Sequence, residues 1–264
     1  METEQLKSYT LITGASAGTG KQIAVECAKR GFNVFLVSLP ETGLESFSEE
    51  LRKIYPVEVK YLSIDLTKSK SPQKVFDFAV ENKLIINMLV NNAGLGFNGK
   101  LENLTADLID TMILLNVRAS TLLTFLFIPQ MKKLHKSYIL NISSFAGLTP
   151  LPYKSVYSAT KAYLFFLTQA LNIELKGTGI SVTSVHPNGI TSERAKENVK
   201  KSGVMGRISA LSPEQVAKIS IDCMLSGCKF VIPGIMNKFY YAIGVSLPHG
   251  IVIKLIGGVF RKKN

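Results

Sequence analysis

Residues Tyr9–Gly20 read YTLITGASAGTG. The first five are β-branched, aromatic or apolar, and they run without a break into a turn whose glycines stand at 14, 18 and 20. The residues after the turn, to about Arg30, repeat apolar positions at helical spacing. A strand, a glycine turn and a helix in that order make a βα unit. Gly14, Gly18 and Gly20 let the backbone turn tightly and approach a ligand, while the helix directs free N–H groups and its positive dipole end at a pyrophosphate. The spacing is G-x-x-x-G-x-G rather than the commoner G-x-G-x-x-G. Between a first strand and a first helix it points to a dinucleotide.

The pattern repeats along the chain. NVFLVS, VEVKYLSI, NMLVNN, SYILNIS, SVTSVH and FVIP read as strands, separated by helices that include ETGLESFSEELRKI, SPQKVFDFAVE, a long helix from Thr105 to about Pro129, and one opened by Ser212 and Pro213. Strands apolar throughout, alternating with helices, imply a parallel sheet covered on both faces. The expectation is a single-domain, doubly wound α/β fold of the Rossmann type, with ligands at the carboxyl ends of the strands.

At 264 residues the chain is long enough for one large buried core. Cys27, Cys223 and Cys228 have no His or Cys at metal-ligand spacing and read as inert thiols of a reducing compartment; no metal site is expected. The N-terminal METEQLKSY lacks a basic-then-apolar signal pattern, so a cytoplasmic protein is expected. The net charge of +12 comes with no aromatic-interleaved basic motif, which argues against nucleic acid and leaves phosphate-bearing ligands, an anionic membrane or a solvated surface.

The stretch SVYSATKAY, Ser155 to Tyr163, places a tyrosine and a lysine one helical turn apart. Side chains so spaced share a face, and an ammonium fixed beside a phenol is expected to bring its pKa down from ~10. Tyr157 is then a proton donor and Lys161 the cation that tunes it.

With these residues in view, the chain resembles the short-chain dehydrogenase/reductase family in its short form, from about Tyr9 to Pro233. The resemblance rests on TGASAGTG, NNAG (Asn91–Gly94), NISS with Ser144 thirteen residues before Tyr157, YSATK, and Asn116 in LLNVRA. It implies an oxidoreductase that interconverts a ketone and a secondary alcohol with NADP, NAD being the second choice. Tyr157 would be the acid and Ser144 the hydrogen-bonding partner of the substrate oxygen. Lys161 would also hold the nicotinamide ribose, and Asn116 a water that links Lys161 to solvent. Cofactor contacts are expected from Gly14, Ser16, Gly18, Thr19, Gly20, Ser38, Asp65, Leu66, Asn92, Ala93, Gly94, Pro187, Ile190 and Thr191, besides Tyr157 and Lys161. A non-catalytic protein that senses the NADP redox state is the other reading, though it has no need of Ser144, Tyr157 and Lys161 together.

Two departures from the family pattern bear on specificity. The second strand ends in VSLPE, with Ser38 where NAD-dependent relatives carry an acid, and without the arginine common in NADP-dependent ones. After the sixth strand HPNGITS puts Asn188 in the place of a glycine. Residues 192–206 are polar and basic, and in the family this insertion covers the substrate. They suit a phosphate-bearing acyl thioester, and they suit a solvated loop equally. The tail 234–264 resembles those of relatives acting on lipid-like ketones. Phe239 to Phe260 is mostly apolar but broken by Pro248, His249, Lys254 and glycines, so a membrane-surface helix from Gly250 onward, with Lys254 and Arg261 on a polar stripe, competes with a helix packed on the pocket or on a dimer mate. The apolar excess of the long helix and of the Tyr157 helix, and their pairing in relatives, lead to the expectation of a homodimer or homotetramer.

Overall fold

In the computed structural model, residues 7–191, 208–248, 250 and 252–254 are described. Seven parallel strands, β1 (Ser8–Thr13), β2 (Asn33–Ser38), β3 (Val59–Ser63), β4 (Ile85–Asn91), β5 (Ser137–Ile142), β6 (Ile180–Val185) and β7 (Phe230–Val231), lie in the order β3-β2-β1-β4-β5-β6-β7. The helices between them are α1 (Gly18–Lys29), α2 (Leu44–Ile54), α3 (Ser71–Glu81), α4 (Ala106–Ile113), α5 (Ser120–Met131), α6 (Ser155–Glu174), α7 (Pro213–Leu225) and α8 (Ile235–Ser246). The order reverses between β1 and β4, and that reversal opens a crevice at the strand carboxyl ends.

Each strand feeds both faces of the sheet, because successive side chains alternate. Ile12, Leu36 and Val90 point to the side held by α1, α2 and α7, through Ile23, Leu51 and Ile221. Leu11, Phe35 and Leu89 point to the other, packed by Val75 of α3, Phe127 of α5 and Leu171 of α6. Full burial of each such side chain contributes roughly 1.5–3 kcal/mol. Ser212 caps α7 reciprocally with Gln215, as its sequence position promised.

One polar chain crosses the core. Asn91 and Asn141 are register partners in β4 and β5, and Asn91 Nδ2 donates to Asn141 Oδ1 (2.8 Å) and to Thr124 Oγ1 (3.0 Å). Asn141 Nδ2 continues to Thr168 Oγ1 (2.8 Å). A one-residue slip of either strand would strand these amides in apolar surroundings, so the chain pins the register of both strands against α5 and α6.

Three expectations change. The long helix is not uniform: residues Leu114–Ala119 form a π-helical turn between α4 and α5, with Asn116 inside it. Cys223 and Cys228 are not separate thiols but a disulfide, their Cα atoms 5.1 Å apart, because the chain reverses at Gly227 in the left-handed region (φ 74°). Cys27 is the free, buried cysteine, its thiol pushed up to about 12 by burial. In the tail, helix α8 precedes Pro248, and Val252, expected on an outward apolar face, is buried. Ile251, Leu255, Ile256, Val259, Phe260 and Arg261, which fall in the helix expected from Gly250 onward, lie outside the described residues, as does the basic stretch 192–206.

Candidate active site

The glycine turn is held by the end of β4. Thr13 Oγ1 accepts from the amides of Asn92 and Ala93, each at 3.0 Å, and donates to Val90 O at 3.2 Å. Asn92 Nδ2 donates to Thr13 O (2.9 Å) and Gly14 O (3.3 Å). A Cβ at Gly20 would stand 2.1 Å from Gly14 O, which excludes any other residue there. Gly18 is different, with φ 55° and open space on its Cβ side. No side chain caps α1, so its first amides remain available at this opening. The turn therefore fits a pyrophosphate.

Beside it the hydroxyls of Ser16 and Ser38 hydrogen-bond at 2.7 Å, and Thr42 Oγ1 approaches Ser38 Oγ at 3.4 Å. Three hydroxyls at the end of β2 form a neutral polar patch where an acid would repel a phosphate. Asp65 is engaged locally: its Oδ1 accepts from Thr67 N (2.9 Å) and Thr67 Oγ1 (2.7 Å), and its carboxyl is held below the ordinary value by those bonds and by Lys68 against the opposing effect of burial. Leu66 beside it is buried.

The four side chains expected to serve catalysis, Asn116, Ser144, Tyr157 and Lys161, lie together. Ser144 follows β5, its Oγ accepting from Ala146 N (3.1 Å) and facing Pro187 O at 3.5 Å. Tyr157 and Lys161 lie on the inner face of α6, and Lys161 is 4% exposed. Their electrostatics differ from the sequence reading. Burial raises the Tyr157 phenol above its ordinary value, with a Ser144 hydrogen bond acting in the other direction. Lys161 does not lower it: its ammonium donates to Ile142 O at 2.8 Å and sits 5.9 Å from the Tyr157 ring centroid. Burial brings Lys161 itself down to about 8.

Asn116 also holds the loop that follows β4. Its Oδ1 accepts from Leu95 N (2.8 Å), and its Nδ2 donates to Leu95 O (2.9 Å) and Thr160 Oγ1 (3.0 Å). The π turn brings this amide inward and clamps the strand-end loop to α6. Gly94 and Gly96 let that loop lie flat on the site. A Cβ at Gly94 would be 3.2 Å from both Lys161 Nζ and Asn116 Oδ1, and one at Gly96 would be 3.1 Å from the Tyr157 ring. Phe97, Leu104, Met112 and Tyr153 pack beyond it, against Tyr157.

His186, which the sequence reading passed over, supports Ser144. Ser144 O can only accept, so the bond at 3.1 Å to His186 Nδ1 places the ring proton there, and Ser184 Oγ donates to Nε2 at 3.1 Å. Burial holds this imidazole at about 4, hence neutral. Phe145 N to Pro187 O (2.8 Å) completes the anchor of β5 to β6. Farther along, Ile190 bridges to Leu211, and Thr191 N donates to Leu211 O at 2.9 Å.

The sequence profile described as short chain dehydrogenase matches residues 8–203. The chain belongs to that family. It is 34% identical over 200 residues to a very-long-chain 3-oxoacyl-CoA reductase-A of Danio rerio, covering 73% of this chain and 61% of that protein. It is 31% identical over 262 residues to the very-long-chain 3-oxoacyl-CoA reductase of Rattus norvegicus, covering 96% and 80%. A short-chain dehydrogenase from Sphingobium yanoikuyae solved with NADPH superposes with a TM-score of 0.77 at 29% identity, covering 90% and 93%. The chain thus spans about three fifths of the length of several curated relatives it matches.

The buried ammonium yields a prediction. Lys161 has a lower pKa folded (about 8) than unfolded (10.5), so the folded state is penalised fully below pH 8 and recovers stability as pH rises from 8 towards 10.5. Lys161→Met removes a desolvated charge but leaves Ile142 O without its donor, so thermal unfolding of the ligand-free protein at pH 7 is expected to show a gain of about 1–2 kcal/mol together with loss of turnover. The gain should shrink between pH 8 and pH 10; a constant difference would place the charge elsewhere.

Proposed function

We propose that this protein is an NADPH-dependent reductase that converts the ketone of a lipid-like, 3-oxoacyl substrate to a secondary alcohol. The observation that carries the reading is the convergence of Ser144, Tyr157 and Lys161 at the carboxyl ends of the strands, beside the glycine turn. NADPH bound along that turn supplies the hydride. Tyr157, held protonated by burial, gives its proton to the carbonyl oxygen. Ser144 hydrogen-bonds the same oxygen, where negative charge develops, and His186 and Pro187 keep it aimed. Lys161 orients the nicotinamide ribose by turning from Ile142 O. Asn92, Ala93 and Gly94 line the adenosine side, and Ile190 and Thr191 the nicotinamide side. The substrate class follows the relatives named 3-oxoacyl-CoA reductase, and Phe97, Leu104 and Met112 supply an apolar wall beside Tyr157.

Residues 1–233 carry this chemistry. The tail from 234 is read as the part that meets an anionic membrane surface, and the protein as a peripheral one on the cytoplasmic side. A homodimer or homotetramer is the expected assembly, because α5 and α6 expose Phe125 and Phe166, each at 69%, together with Ile173.

Tyr157→Phe is expected to lower turnover of a ketone by at least about a thousandfold while cofactor affinity stays within about threefold, since only the proton is removed. Near-normal rates would refute the assignment. Ser38→Asp is expected to shift the NADPH-to-NADH affinity ratio by about tenfold or more towards NADH, because a carboxylate repels a 2′-phosphate and accepts from a ribose hydroxyl. Calorimetric titration of both nucleotides reads this directly; an unchanged ratio would locate the 2′-phosphate elsewhere. Phe166→Glu is expected to reduce the mass measured by light scattering at micromolar protein, and a wild type already monomeric would dismiss the assembly.

A further inference from the structure

Helix α8 faces the wrong way for a soluble protein. Its inner side carries Asn237, which is 1% exposed, with Tyr241 and Gly244 half-buried one and two turns on. Its outer side carries Ile235 (83% exposed), Met236, Phe239 (57%) and Ile243, which fall within about 100° of one another around the helix, while Val245 (63%) lies off that stripe. The side that packs on the protein is held by polar bonds. Asn237 Oδ1 accepts from Asn188 Nδ2 at 3.0 Å, and Asn237 Nδ2 donates to Pro233 O (2.8 Å) and Ser209 O (3.0 Å). The helix is therefore locked in place with its apolar side outward, and the lock is on the loop that follows Pro187, whose carbonyl faces Ser144.

The sequence from this helix onward carries charge of one sign. No Asp or Glu follows Asp222, whereas Lys229, Lys238, Lys254, Arg261, Lys262 and Lys263 do. Lys238 lies in α8 itself and is exposed, with a stem long enough to lie along the apolar side while its ammonium reaches outward. A second copy seated on this face would set like charges against each other. An apolar stripe edged by cations instead matches the boundary between acyl chains and anionic headgroups.

We propose that the outer face of α8 seats the protein on an anionic lipid surface, which holds the opening of the active site against the bilayer so that a long-chain ketone enters from the lipid. This rests on the reading of the chain as a reductase of lipid-like ketones. It differs from the sequence expectation in assigning the contact to Ile235–Ser246 rather than to the residues after Gly250.

The experiment uses the full chain, wild type and Phe239→Glu/Ile243→Glu, with vesicles of phosphatidylcholine alone or mixed with phosphatidylglycerol. Wild type is expected to sediment with the mixed vesicles, less so in high salt, and to ignore the neutral ones. The double variant is expected to bind at least about tenfold more weakly, keep the wild-type rate on a water-soluble ketone, and lose any vesicle-dependent increase on a long-chain ketone. Equal binding by both proteins would overturn the assignment to α8. So would binding by neither, or a variant that changes only the oligomeric mass, which would make the face a contact between copies. Absence of any ketone reduction in wild type would defeat the catalytic reading, while the sedimentation result would still decide the docking face.

Discussion

The hydroxyl of Thr13 is the tie on which the site depends. It uses its full hydrogen-bonding capacity, one donor and two acceptors, to join the last residue of β1 to Val90, Asn92 and Ala93 at the end of β4. These are the two strands between which the sheet order reverses. The crevice there is thus neither a gap left by packing nor a flexible mouth. Its two lips are bonded to each other, the glycine turn on one and Asn92–Gly94 on the other. The amide of Asn92 repeats the tie from the opposite direction, so that the turn keeps a fixed distance from the catalytic helix.

On that frame the protein buries groups that a stable core would avoid. Tyr157, Lys161 and His186 all have their charged forms disfavoured by burial, and each finds a different partner: Ser144 for the phenol, Ile142 O for the ammonium, Ser144 O and Ser184 Oγ for the imidazole. The outcome is a site with a protonated acid, a neutral histidine and a lysine close to its titration point. The lysine can change partner without breaking an element of secondary structure.

How much of this could be read from the chain follows the range of each interaction. The strands, the helices and the glycine turn are local patterns, and the observed boundaries fall within a few residues of the expected ones. Ser144, Tyr157 and Lys161 were found because a motif preserves their spacing. The direction in which Lys161 points was not, since Ile142 O enters its reach only when β5 packs under α6. His186 and Asn237 escaped for the same reason: each looks ordinary in sequence, and each acts on a residue that tertiary structure supplies. Cys223 and Cys228 read in sequence as separate thiols, although Gly227 between them is a visible sign of the chain reversal that joins them. Thr42 joined the Ser16–Ser38 pair unannounced, because a turn and not a repeat brings it there.

The π-helical turn at Leu114–Ala119 has the arithmetic of an insertion: it fits an extra residue into a helix without making a loop. Each residue of an α-helix advances the chain by about 100° about its axis. Deleting one residue from this turn would let the whole stretch from Ala106 to Met131 become regular, with Leu123 and Phe127 still on the buried side, because the wide turn absorbs its extra residue locally. What would be lost is the inward bulge that brings Asn116 to Leu95 and Thr160. The extra residue is thus dispensable to the core and serves to aim one amide.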